Sequence, residues 1–199
     1  QNTGCGAFAL EANTSGDQNT AVGFRALDQN TTASNNTAVG HSSLGANTTG
    51  AANVAVGVNA LDANTTGTNN TAVGFAAATS ITTGDNNTCI GAYAFEDLTT
   101  GSENVALGYF SLGNLSTASE NTAVGYFAAR NITTGYRNVC VGKQSMDSST
   151  TAHNNACLGF YAGGQMTTGS NNILLGTDAG THLGPSGSIT TGSDTICLG

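Results

Sequence analysis

A glycine recurs every 17 residues through most of this chain: Gly6, Gly23, Gly40, Gly57, Gly74, Gly91, Gly108, Gly125, Gly142, Gly159 and Gly176. The period does not drift over these ten intervals. Gly199 follows after a step of 23, so six extra residues enter the last full unit around Gly184-Pro185-Ser186-Gly187-Ser188, and 184–189 reads as a loop inserted in one coil. A strict period limits the fold more than any single motif does. Helical repeats need roughly 33–47 residues and propeller blades roughly 40 or more, which rules out both for a unit this short. The unit suits one coil of a parallel β-solenoid, and residues 1–199 form a single repeat array of about twelve such coils.

Numbering each unit so that this glycine is position 5 gives the consensus Asn-Thr-Ala-Val-Gly-x-x-Ala-Leu-x-x-(Asn or aliphatic)-Thr-Thr-Gly-x-Asn. Position 1 is Asn in every full unit: Asn2, Asn19, Asn36, Asn53, Asn70, Asn87, Asn104, Asn121, Asn138, Asn155 and Asn172, with Thr195 in the twelfth. In stacked coils these side chains are expected to form an amide ladder. Position 4 is Val, Ile or Leu except at Cys5, and reads as a continuous apolar spine. The glycines at positions 5 and 15 read as two turns at positive φ, and positions 1–4 and 7–9 as two short strands. With strands about 4.8 Å apart, twelve coils make a rod of roughly 55–60 Å.

Charged residues are only 8% of the chain, yet a low-charge chain rich in Gly, Asn and Thr has no need of a strict period if it is disordered, so the period argues for a fold. In a strand, positions 2 and 4 face one way and positions 1 and 3 the other. Both faces are small and fairly apolar, which favours several chains packed around a common axis, a homotrimer above all. The net charge of −8, with only Arg25, Arg130, Arg137 and Lys143 as cations, excludes a phosphate-binding groove, so no nucleic-acid partner is expected. No apolar run is long enough for a membrane span. The chain begins at position 17 and stops at position 5 with no cap, so neighbouring sequence or an end-to-end subunit is expected to cover the open coils.

Little in the sequence suggests catalysis, and neither cofactor nor metal is called for. Of five cysteines, Cys89, Cys140, Cys157 and Cys197 take position 3, where Ala is usual, and read as small buried hydrophobes. Cys140 and Cys157 lie on adjacent coils, but an in-register parallel pair is awkward for a disulfide. His41, His153 and His182 occupy different positions and read as surface residues. A glycan-cleaving site would need paired carboxylates in a groove, and Glu96-Asp97 is the only acidic doublet. Ten of twelve aromatics fall at positions 6 or 7. Among them Tyr109, Phe110, Tyr126, Phe127, Phe160 and Tyr161 form doublets, read either as packing between chains or over the turn, or as a recognition surface for a cell-surface glycan or receptor, with one ring of each pair exposed.

Units such as Asn-Thr-Ala-Val-Gly-Phe-Arg-Ala-Leu at 19–27 and Asn-Val-Ala-Val-Gly-Val-Asn-Ala-Leu at 53–61 resemble repeats of phage tail-fibre proteins and related bacterial surface proteins. The Ala-Val-Gly-x-x-Ala core is similar to the head repeats of trimeric autotransporter adhesins, whose units are shorter. The resemblance implies a left-handed trimeric β-roll on an extracellular or virion fibre, with an adhesive role. Two other readings compete with it. One is an ice-binding solenoid using threonine ladders, although adjacent Thr-Thr residues face opposite sides and would show one column. The other is a self-stacking subunit of an extracellular filament.

Overall fold

The fold is described from a computed structural model, which covers residues 1–184 and 187–199. Twelve three-residue strands, β1 (Thr3–Cys5), β2 (Thr20–Val22), β3 (Thr37–Val39), β4 (Val54–Val56), β5 (Thr71–Val73), β6 (Thr88–Ile90), β7 (Val105–Leu107), β8 (Thr122–Val124), β9 (Val139–Val141), β10 (Ala156–Leu158), β11 (Ile173–Leu175) and β12 (Ile196–Leu198), form one sheet in chain order. All pair in parallel with like repeat positions opposite each other, for example Ala21 with Ala38 and Val22 with Val39. The step across the six-residue insertion keeps this register, pairing Leu174 with Cys197. Of the inserted loop, Pro185 and Ser186 lie outside the described residues.

Among the described residues each coil contains one strand, not two. Positions 6–11 form a run of turns, and the residues at positions 7 and 9 adopt left-handed backbone conformations, such as Arg25 (φ 55°) and Leu27 (φ 52°). Position 17 does the same, as at Asn35 (φ 64°). The physical reason is hydrogen bonding along the rod. Arg25 N–H donates back to the Ala7 carbonyl of the preceding coil, whereas Leu27 N–H donates forward to Ser43 of the next. Flipping alternate peptides up and down the axis satisfies backbone groups that a tight turn would otherwise strand. Asn and Asp tolerate left-handed φ best, which accounts for Asn35, Asn69, Asn86, Asn154, Asn171 and Asp194 at position 17.

The core is filled from other positions than the expected spine. Position 3 points inward and is fully buried at Ala21, Ala38, Ala55, Ala72, Ala106 and Ala123. It meets position 8 (Ala26, Ala60, Ala77, Ala94) and position 9 (Leu27, Leu44, Leu61, Phe95, Leu112, Met146), all buried. Position 4 lies on the opposite side and is exposed, as at Val22, Val39, Ile90, Val141 and Leu158. The alternation of strand residues was legible, but which face the coil closes over is decided by the turns, whose left-handed residues fold positions 8 and 9 back under position 3.

The two glycine columns also differ. At position 5 φ is near 140° (Gly57 140°), and an added Cβ would lie 2.2 Å from the Gly74 carbonyl oxygen of the next coil. At position 15 φ is ordinary, so these glycines do not mark a positive-φ turn; they are selected by close approach, with a Cβ on Gly50 falling 2.3 Å from the Gly67 carbonyl oxygen. Ala33, Ala118 and Ala152 occupy that position in other coils, so a small backbone shift accommodates a methyl there. Gly57→Ala is expected to destabilise the rod by about 3 kcal/mol or more, combining backbone strain with a clash against backbone. Gly50→Ala should cost about 1 kcal/mol or less. Urea denaturation followed by circular dichroism checks the pair, and equal losses would contradict this division of roles.

Candidate functional site

The feature most fully built into the structure is the position-1 ladder. Asn19, Asn36, Asn53, Asn70, Asn87, Asn104, Asn121, Asn138, Asn155 and Asn172 are all buried, at 2% exposure or less. Each side-chain oxygen accepts the backbone N–H of the next rung: Asn70 Oδ1 takes Asn87 N–H at 2.9 Å, and Asn87 Oδ1 takes Asn104 N–H at 3.0 Å. Each amide nitrogen donates to the position-15 carbonyl of its own coil, as Asn70 Nδ2 does to Gly84 at 2.7 Å. One side chain thus fastens its coil to the next and closes its own loop. From Asn87 onward the amide nitrogen also reaches the preceding Oδ1, at 3.1 Å for Asn87 to Asn70.

A second amide ladder, at position 12, was missed in the sequence. Asn30 Nδ2 donates to Asn13 Oδ1 at 2.8 Å, Asn47 to Asn30 at 3.0 Å, and Asn64 to Asn47 at 2.8 Å. Beyond Asn64 the same column turns apolar with Ile81, Leu98, Leu115 and Ile132, all fully buried. The mixed consensus of Asn or aliphatic at position 12 was the available signal. Asn and aliphatic residues both occur there because both fill one inward slot of similar size.

The adjacent threonines divide their work. Position-13 hydroxyls donate to the next coil's position-13 carbonyl, as Thr48 Oγ1 does to Thr65 at 3.0 Å and Thr65 to Thr82 at 3.0 Å. Position 14 is exposed in every coil, from Thr32 to Thr191. The threonine pairs therefore present a single outward column. The outward position 2 does not add an unbroken second one, because Val54, Val105, Val139, Ala156, Ile173 and Ile196 interrupt it.

The aromatic doublets lie side by side, not on opposite faces of the coil. Tyr126 and Phe127 have ring centroids 4.2 Å apart, and Tyr109 stacks on Tyr126 at 5.5 Å and 15°. The left-handed backbone at position 7 turns its side chain to the same edge as position 6, which a strand-like alternation could not anticipate. Position 6 is the more exposed of each pair at Tyr109, Tyr126 and Phe160, while Phe110, Phe127 and Tyr161 are half-buried. The position-7 rings Phe110 and Tyr161 fold over Gly113 and Gly164, occupying the space a Cβ would take. All four cations sit against these or neighbouring rings. Arg130 lies 4.5 Å from the Phe127 centroid and pairs with Asp147 at 3.0 Å. Lys143 stands between Tyr126 and Phe160, at 5.7 and 5.8 Å.

At Gly45 position 10 has neither a side chain nor a covering ring. The Asp62 carboxylate covers that place, and an open notch of about 290 Å³ lies beside it, lined by Arg25, Asp28, Gln29, Ser42 and Asp62 among others. Partial burial raises the Asp62 carboxyl above its ordinary range, the charge of Asp28 raises it further, and His41 draws it back. The acidic doublet Glu96-Asp97 is separate from this notch and only Asp97 is exposed. Four cysteines are buried and all five are free, including the in-register neighbours Cys140 and Cys157. Burial pushes the Cys157 thiol up to about 12 and the Cys89 and Cys140 thiols in the same direction. His41 stacks on Phe24 at 5.2 Å and His153 on Tyr136 at 4.9 Å, so neither is simply solvated. His182 bonds Gln165. Among the described residues no three His, Cys, Asp or Glu side chains gather as a metal cluster, and no helix is long and apolar enough to cross a membrane.

Comparisons with protein-family models, with curated proteins and with solved structures found no match to this chain. The likeness to tail-fibre and adhesin repeats accordingly rests on the repeat residues alone.

Two measurements follow from this geometry. Asn70→Ala removes the acceptor for Asn87 N–H and the donor to Gly84, so it should cost about 2–4 kcal/mol in urea denaturation; a loss near zero would mean the ladder is ornamental. Asp62 favours its protonated form in the folded chain, so the stability it contributes is complete below the ordinary carboxylate range and is lost as pH rises through the raised value. Asp62→Asn should therefore melt slightly higher than the wild type near neutral pH and level with it at about pH 3. Thermal melts at the two pH values check this.

Proposed function

We propose that this chain is a segment of a structural and adhesive fibre on a cell or virion surface, acting as a rigid shaft, with no catalytic role. The observation that carries this reading is the unbroken register of the twelve-stranded sheet, in which like residues repeat at every level. Backbone ladders, two amide ladders and a threonine ladder all run along one axis, so bending the rod would strain several hydrogen-bond columns together. Such a structure holds its ends apart at about 4.8 Å per coil. The exposed aromatic edge of Tyr109, Tyr126 and Phe160, backed by Phe110, Phe127 and Tyr161, is the surface we assign to recognition of a glycan or protein receptor. Its variable side chains sit on an invariant frame, which suits a surface that changes its target without changing its fold.

We also infer that three copies form the working unit, as the apolar outer strand face and the repeat resemblance suggest. Multi-angle light scattering should give about 59 kDa, three times the 19.7 kDa chain, or whole multiples of it. Small-angle scattering should give a rod with a long axis near 55 Å or a multiple of it. A compact particle would sink the shaft reading whatever its mass.

A further inference from the structure

Sulfur is concentrated at one place in the lumen. The chain has two methionines, Met146 and Met166, and both fall in the ninth and tenth coils, residues 138–171, together with Cys140 and Cys157. All four residues are 1% exposed or less. Cys140 and Cys157 are register partners on β9 and β10, so their inward thiols stand at neighbouring levels, about 4.8 Å apart along the rod. Met146 takes position 9, where other coils carry Leu27, Leu44 and Leu61, and its Sδ lies 3.4 Å from Cys140 Sγ. Position 9 of the next coil is Gly163, and a Cβ there would lie 2.9 Å from Cys157 Sγ, so the missing side chain leaves that sulfur room. Repeat position alone does not produce this grouping. The Cys89 thiol, also at position 3, donates to the Ala94 carbonyl of its own coil at 3.1 Å, whereas the Cys140 thiol is aimed at a thioether. The fourth sulfur, Met166 Sδ, is already engaged by the Asn172 amide at 3.4 Å and stands outside the group.

We propose that Cys140, Met146 and Cys157 form a buried binding site for a soft monovalent cation, copper(I). Thiol and thioether sulfur together are the donor set that selects this ion. Zinc would need a fourth donor and favours nitrogen or oxygen over a thioether. Among the described residues no His, Asp or Glu joins the two thiols in a cluster of three. With metal–sulfur bonds of about 2.3 Å, the Cys140–Met146 separation has to widen by only about half an ångström to seat an ion among three sulfurs. Burial holds both thiols protonated at neutral pH. Binding therefore breaks one S–H bond as the copper–sulfur bond forms, and the proton leaves to solvent. The ion and the new thiolate cancel, so the lumen gains no net charge. Copper remains copper(I) throughout, and no redox partner is required. The wall beside Cys157 is Gly163-Gly164, the only adjacent glycines in the chain and its most deformable segment, which gives the ion a way in.

The test uses the whole chain carrying Cys5→Ser, which removes the one exposed thiol. The probe is copper(I), delivered without oxygen from its complex with a chromophoric chelator. The protein should withdraw one ion per chain, read as loss of the chelator complex's absorbance and as the added mass of one copper in native mass spectrometry, with its circular dichroism spectrum unchanged. Cys140→Ala and Cys157→Ala each install the commonest residue of position 3, so both should fold and both should lose the tight site. Met146→Leu installs the commonest residue of position 9 at similar volume. It should weaken binding by about tenfold or more, since loss of even an outer partner of a metal ligand costs that much. Cys89→Ala should bind as its parent does. Failure to withdraw copper, uptake only as the spectrum is lost, undiminished binding by Met146→Leu, or a loss in Cys89→Ala equal to that in Cys140→Ala would each overturn the site.

Discussion

Everything in this structure depends on turning peptide groups parallel to one axis. A 17-residue coil is too narrow to pair its N–H and C=O groups within itself, and too tightly wound to leave them to water on the inside. The chain solves this by placing residues in the left-handed region at positions 7, 9 and 17 of the coils, with φ between 49° and 64° for non-glycine residues. Each such residue carries an intrinsic cost of roughly 1–2 kcal/mol. The cost is tolerated because the flipped peptide gains a hydrogen bond to the coil above or below. An isolated coil would have no such partner, so the local conformation and the stacking are stable only together. Stability is therefore a property of neighbouring pairs of coils, as in other solenoids.

The asparagine at position 1 belongs to the same logic. It is the one side chain whose length and two-ended amide let it accept from the next coil and donate within its own. Asp would lose the donor and Leu both groups, leaving buried backbone atoms unpaired. This is why the column is unbroken from Asn2 to Asn172, whereas position 12, whose amide only bonds its neighbours and one carbonyl, passes from Asn64 to Ile81 without disturbing the coil. A slot that merely needs filling accepts either chemistry; a slot that completes two backbone bonds does not.

The architecture was legible in the sequence because a fixed period survives any uncertainty about local conformation. The period gave the solenoid, its coil number and the parallel pairing. What the sequence hid is the path of the chain between strands. Residues such as Leu27, Ala78 and Phe110 have no intrinsic preference for positive φ, so positions 7–9 look like a strand by composition. That single misreading carried two consequences. It sent Val22 and its column into the core, when Ala21 faces inward, and it set Tyr126 and Phe127 on opposite sides, when their rings touch. Glycine at position 15 was likewise ambiguous, since a sequence cannot separate a glycine needed for φ from one needed for space.

Within most of the strands the larger aliphatic residues lie outside and the small residue inside, which inverts the usual rule for a soluble domain. The inversion follows from coil size. With Asn, Ala and Leu already filling the lumen of a small coil, position 3 mostly has room for a methyl or a thiol, so Cys89, Cys140 and Cys157 are accepted there, and Leu174 fits where Gly163 and Gly180 leave position 9 without a side chain. A solenoid this slender buries the large side chains of positions 9 and 12 within one chain but leaves the aliphatic residues of position 4 wholly or partly on its surface. The apolar surface that would be the core of a wider coil is instead presented as a stripe, and burying it requires other chains. On this view the short repeat and the proposed multi-chain fibre are connected physically: the more apolar surface a narrow coil leaves outside, the more its burial would have to come from association.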